Sequence, residues 1–215
     1  MSALDRPLRR DASRNRERIL EAARELFAAR GLEVTMDEIA RHAGVGVGTV
    51  YRRFPQRAQI IEALFEQRME DYLALAQRCL ADPDPWHGLV EFFEQGLGMQ
   101  AADRGLKELL VGHGHASEAG ARVRARVLPL AEQLVTRAQT AGALRPDVGA
   151  LDLPIISLML GQVIDFSSDI EPDLWRRYLA LLLDGLRSDR SPLPLAPLEP
   201  EQLNAAIAKL HPHRH

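Results

Sequence analysis

Three observations predict an all-α fold in two parts. Strand signals are scarce: there is no Asn-Gly or Asp-Gly hairpin and no sustained alternation of β-branched residues. Apolar residues return at helical spacing along most of the chain. Charge is split, with 12 Arg against 8 Asp/Glu in residues 1–60 (a balance of +4) and 15 Lys/Arg against 22 Asp/Glu in residues 61–215 (−7). A basic front and an acidic rear suggest a small anion-binding module on a larger body, which the overall charge of −3 conceals.

The first helix is expected from about Ala12 to Arg30, because Ile19, Ala22, Ala23, Leu26 and Phe27 share one face and Gly31 is a stop signal. Arg6, Arg9, Arg10 and Arg14, around its start, read as part of a weakly steering tail, with an arm (residues 1–11) reaching the minor groove as the alternative. Thr35 followed three residues later by Glu38 is a capping box and opens a short second helix, ended near Ala43 by Gly44. A third runs from about Val47 to Phe54, where Pro55 closes it. From Gln56 to about Leu80 a long helix aligns Ile61, Leu64, Phe65, Met69, Tyr72, Leu73 and Ala76.

Asp84-Pro85 is a good cap and first position for the next helix, made amphipathic by Trp86, Leu89, Val90, Phe93 and Leu97. Gly112 to Gly120 reads as a loop. Val123 to Ala138 reads as a helix stopped by Gly142, and 151–167 and 173–187 as two helices apolar around most of their circumference. Pro192, Pro194, Pro197 and Pro200 then forbid a helix until Leu203, Ile207 and Leu210.

Three helices within the first 55 residues, with a short glycine-containing turn between the last two, match helix-turn-helix geometry, in which the later helix enters the DNA major groove. The third helix presents Val47, Gly48, Thr49, Tyr51, Arg52 and Arg53: groups small enough to approach phosphate, and two guanidinium groups that can reach guanine edges. Gly44 supplies the positive φ of the turn, and Val45 and Phe54 fill the small core.

Arg18-Ile-Leu-Glu-Ala-Ala-Arg-Glu-Leu-Phe27, Gly31, Thr35-Met-Asp-Glu-Ile-Ala40, Ala43-Gly-Val45, Gly48-Thr-Val-Tyr51, Phe54 and Arg57 together resemble the TetR-family transcriptional regulators. The likeness covers residues 14–65. It implies a homodimer, usually a repressor on a palindromic double-stranded DNA operator, whose rear domain pairs through its last two long helices and holds an inducer cavity. It further implies phosphate contacts from Thr35, Thr49, Tyr51 and Arg57, base-edge contacts from Val47, Gly48 and Arg52, and a place near the DNA backbone for Arg53. Gly46 departs from the pattern, standing where the family often has a capping Ser.

The domains expected are therefore 1–55 for DNA binding (arm at 1–11), 56–190 for effector binding and dimerisation, and 191–215 as a proline-rich extension. Helices apolar on all sides need cover from both the subunit and a second copy, which assigns Leu158, Val163, Trp175, Tyr178, Leu179, Leu182 and Leu186 to a dimer interface. A central helix pair inside a monomer is the alternative. Met69, Tyr72, Phe92, Phe93, Met99, His113, Met159, Gln162 and Phe166 are candidate linings for an effector cavity.

Neither a metal nor a cofactor is expected. The single cysteine, Cys79, rules out an internal disulfide and any cysteine-clustered metal site, and His113 and His115 flank Gly114 without a carboxylate cluster. No nucleophile elbow, phosphate-cradling loop or paired-carboxylate motif points to an enzyme. The N-terminus lacks a secretory apolar run, and the segment Leu151–Phe166 is broken by Asp152, Pro154, Gln162 and Asp165. A reduced cytoplasmic protein without membrane partners is the expectation. A helix-turn-helix architectural or protein-tethered regulator with no small-molecule effector is the competing function.

Overall fold

The computed structural model describes the backbone of residues 5–31, 33–102, 115–189 and 191–209, and side chains over the same ranges except 5–13, 115–124 and 207–209. Among the described residues there are nine α-helices and no strand: α1 (Asp5–Arg30), α2 (Met36–Ala43), α3 (Val47–Arg53), α4 (Arg57–Leu80), α5 (Pro85–Ala102), α6 (His115–Thr140), α7 (Asp152–Ser167), α8 (Leu174–Gly185) and α9 (Pro200–Lys209). None is long and apolar enough to cross a membrane.

Two compact units divide the chain, one built on residues up to Arg68 and one on most of the rest from Met69. The first has a core of its own: Ile19, Ala23 and Phe27 of α1, Ile39 and Ala40 of α2, Val50 of α3, and Ile60 and Leu64 of α4 are buried together. Because the first turns of α4 plug that core, the unit continues to Arg68 rather than ending at residue 55. Helix α4 thus supplies residues to both units.

The second unit is organised around α5, which packs on α6, α7 and α8, while α7 and α8 pack on each other. Asp84 caps α5 as expected: its carboxylate accepts from the backbone N–H of Trp86 at 2.9 Å and of His87 at 3.2 Å. Leu89, Phe93, Leu97, Leu134, Leu160, Trp175 and Leu179 form its interior. Arg145 is buried there and satisfied by three acceptors: Asp147 (Nε to Oδ1 2.6 Å), the Gly185 carbonyl at 3.1 Å and the Ser191 carbonyl. Asp147 in turn accepts the Leu193 N–H at 2.6 Å, so one ion pair ties the proline-rich extension to the body.

Two helices are longer than their apolar patterns. Helix α1 begins at Asp5, not near Ala12, so the arginine-bearing segment expected as a tail is helical backbone. Helix α6 begins at His115 and takes in most of the expected loop, its Ala, Arg and Glu residues outweighing the cost of Gly120. It runs through Pro129 because the carbonyl that loses its partner, on Ala125, lies on the exposed face where water can serve. The expected loop residues Gly112, His113 and Gly114 lie outside the described residues.

Candidate nucleic-acid interface

Helix α2 starts where the sequence places it. Thr35 is extended (φ −85, ψ 159), and its hydroxyl accepts from the Glu38 N–H at 3.3 Å. The Glu38 carboxylate accepts from both the Thr35 N–H and the Thr35 hydroxyl at 2.8 Å, and from Arg30 at 2.7 Å. These donors, the Thr35 backbone N–H foremost, hold the Glu38 carboxyl down at about 2. The Thr35 hydroxyl hydrogen is therefore committed within the box, as is the Glu38 N–H, which leaves the N–H groups of Met36 and Asp37 as the first-turn groups that an anion could meet.

The turn into α3 is set by Gly44, which adopts φ +62, ψ +38, while Val45 donates back to the Ala40 carbonyl at 3.0 Å. Arg18 of α1 clamps it from outside, donating to the Ala43 carbonyl at 2.6 Å and the Gly44 carbonyl at 3.2 Å. Arg18 thus ties α1 to the turn between α2 and α3; sequence reasoning named it only as the first residue of the TetR-like run Arg18–Phe27 and gave it no role of its own.

Helix α3 begins after Gly46, an extended N-cap without a side-chain bond, so its first N–H groups have no side-chain partner. Only Val50 is buried on it. Val47 and Tyr51 are 41% and 48% exposed, which for apolar and aromatic groups marks a surface that folding of this chain does not cover. A Cβ added to Gly48 would meet nothing within 4 Å, so a partner's backbone can come close there. Arg52 and Arg53 are exposed, and Arg52 donates to the Thr49 hydroxyl at 3.2 Å. Phe54 is buried, with Arg16 over its ring at 5.7 Å.

Arg57 is half-buried: its Nε donates to the Val34 carbonyl at 3.0 Å and its guanidinium lies 5.9 Å from the Phe27 ring centre. It bridges α4 to the segment before α2, and a phosphate contact from it would use the remaining guanidinium N–H groups. The structure thus brings Val47, Gly48, Thr49, Tyr51, Arg52 and Arg53 onto one helix, with Thr35 and Arg57 on neighbouring elements of the same unit.

In the second unit the candidates divide. Met69, Phe92 and Phe93 are buried, Tyr72 and Met99 half-buried, and His113 lies outside the described residues. Met159, Gln162 and Phe166 instead point away from the interior, Met159 and Phe166 being 48% and 68% exposed, so the cavity-lining expectation for them is corrected. Trp175 and Leu179 are corrected in the opposite sense: both are buried within the subunit and have no surface to offer a second copy. Both errors have one cause, since a helix apolar on all sides does not announce which face meets its own core. Leu158, Val163, Leu182 and Leu186 are half-buried and Tyr178 is exposed. No group of three or more metal-ligating side chains occurs among the described residues. Gln100, a buried amide on the apolar face of α5, was missed; its place three and eleven residues beyond Leu97 and Leu89 was the available signal.

Residues 19–64 match the family profile described as bacterial regulatory proteins, tetR family, and residues 84–188 match that of the SbtR-like transcriptional regulator C-terminal domain. An HTH-type transcriptional regulator of Staphylococcus aureus is 34% identical over 91 residues, which is 42% of this chain and 48% of that relative, so the match spans about half its length. The crystal structure of the TetR transcription regulatory protein from Mycobacterium vanbaalenii is 38% identical, covering 84% of this chain and 99% of the other with a TM-score of 0.60. FadR from Bacillus subtilis, solved in complex with stearoyl-CoA, shares the fold at 17% identity (TM-score 0.63, 80% and 99% covered).

Proposed function

The chain is a member of the TetR family of bacterial transcriptional regulators, and on that premise we propose that it is a repressor which binds a palindromic operator as a homodimer and is released by a small-molecule effector. The observation that carries the DNA-reading half is α3: a short helix exposing Val47, Gly48, Tyr51, Arg52 and Arg53 from a turn clamped by Arg18. Arg52 reads a base edge in the major groove, Thr49, Tyr51 and Arg57 hold phosphates, and the first turn of α2 adds a further phosphate seat. Two copies give roughly 6–10 phosphate contacts, enough for specific binding that weakens steeply with salt, where one copy would bind feebly.

A ligand-holding body is consistent with the stearoyl-CoA complex of the fold neighbour FadR, a likeness of fold and not of ligand. Release follows by population shift: the effector favours an arrangement of the body in which α4 carries the two reading helices away from half-site spacing, with about 1–3 kcal/mol of coupling.

Selection of randomised duplex DNA by band shift, with Arg52→Ala alongside, tests the reading. A two-fold symmetric site that Arg52→Ala binds with relaxed base preference is the expected result. Binding without a symmetric consensus would replace it with the architectural function, and absence of DNA binding would reject it.

A further inference from the structure

Helix α3 is held to its own unit at few points. Of its seven side chains only Val50 is buried, and its N-cap, Gly46, offers the first turn no side-chain bond. Within the unit α1 packs on α2 and α2 on α3, so the reading helix leans on the helix before it. Its tilt therefore depends closely on the turn at Gly44, since only Val45 and Gly46 separate that residue from Val47, the first of α3.

At that turn the end of α2 has carbonyls to satisfy. Those of Ala40 and Arg41 accept from the N–H groups of Gly44 and Val45. Those of Ala43 and Gly44 accept instead from one terminal nitrogen of Arg18, at 2.6 and 3.2 Å. A cation at the C-terminal end of α2 is also favoured by the helix dipole. Arg18 stands on α1, 25 residues before Ala43, so it braces the turn from a third helix and closes the frame that the successive packing of α1, α2 and α3 leaves open.

The two kinds of DNA contact differ in how much tilt they bear. Seven helical residues span about 10 Å, so a tilt of about 10° at Val47 moves the far end of α3, with Arg52 and Arg53, by about 2 Å. A hydrogen bond to a base edge has a window of a few tenths of an ångström and is lost. Attraction between a guanidinium and a phosphate falls off slowly with distance and survives. We infer that Arg18 is a positioning residue for base reading. It sets the tilt of α3 without touching DNA, and so governs how well the chain tells one sequence from another while leaving its attraction to DNA as such almost unchanged. This rests on the proposal that α3 reads an operator.

The test uses the full chain, the symmetric duplex recovered by selection and a random duplex of equal length, each titrated over a range of salt. Arg18→Met keeps the stem and removes the donors; Arg18→Lys keeps a charge and a donor on a shorter stem. Arg18→Met should bind the selected duplex about tenfold more weakly, bind the random duplex within about twofold of wild type, and show the same salt slope on it. Arg18→Lys should prefer the selected duplex less than wild type does, because a point charge on a shorter reach does not replace the guanidinium. Loss of equal size on both duplexes, with a salt slope lower by about one, would make Arg18 a phosphate contact and overturn the inference. So would a variant that melts earlier in urea yet keeps the wild-type preference, the mark of a brace that serves stability alone. If Arg18→Met does not fold, Arg18→Lys decides by the same ratio: a preference reduced by about threefold supports the inference, and a wild-type preference overturns it. A wild type without any symmetric site fells the operator reading and the inference with it, whereas a wild-type site that both variants bind unchanged fells only the inference.

Discussion

Thr35 illustrates how one side chain is claimed twice. Its hydroxyl both accepts from Glu38 N–H and donates to the Glu38 carboxylate, so its structural role is complete without DNA. Thr35→Ala should lower the urea midpoint by an amount worth about 1 kcal/mol, as for other lost N-caps, with an unchanged slope. Glu38 adds a pH signature. Its folded ionisation lies at about 2 against an ordinary 4.5, so its contribution is full above about 4.5 and is lost as pH falls towards 2. The stability gap between wild type and Glu38→Gln should therefore be constant above pH 5 and narrow below it; a gap that widens in acid would refute the box as the source. Thr35 and Glu38 were legible in the sequence because a capping box ties residue type to backbone position. Arg18 was not, since its partners lie about 25 residues away and are carbonyls, which every residue has.

Elements extend this contrast. The turn between α2 and α3 needs a left-handed residue, and Gly44 supplies it at φ +62 with the Arg18 guanidinium 3.0 Å from where a Cβ would stand. Gly44→Ala should cost about 1–2 kcal/mol from the backbone alone, and more as Arg18 is displaced. Gly46→Ser should do the reverse. The position is already extended, a Cβ there would meet nothing nearer than Thr49 Oγ1 at 3.9 Å, and a Ser hydroxyl would accept from the first turn of α3 for a few tenths of a kcal/mol. Urea melts of the two variants should move in opposite directions. Helix ends marked by such caps were readable, whereas the starts of α1 and α6 were not. Helix α1 begins in a charge-rich stretch and α6 in an alanine-rich one, and neither start carries an apolar stripe that would mark the helix.

For the molecule as a whole the question is what covers the surface the chain leaves apolar. Phe166 and Ile170 at the end of α7 and just beyond it are 68% and 82% exposed, and Leu181 and Tyr178 on α8 are 60% and 41% exposed. Sequence periodicity made these helices apolar all round, but only packing sorts Trp175, Leu179 and Leu160 to the interior and leaves the others outside. Exposed aromatic and aliphatic side chains on two adjacent packed helices are the expected seam of a second copy across a two-fold axis, where each residue meets its neighbourhood twice. Leu181→Glu puts a charge on that face without touching the subunit core, so the variant should keep its urea-unfolding slope while sedimentation shifts from dimer to monomer. Operator affinity should then collapse to the weak, strongly salt-dependent binding of a single module. A Leu181→Glu protein that still sediments as a dimer would move the interface elsewhere. If wild type proved monomeric at concentrations that saturate a symmetric operator, the two copies would be meeting on the DNA and not before it.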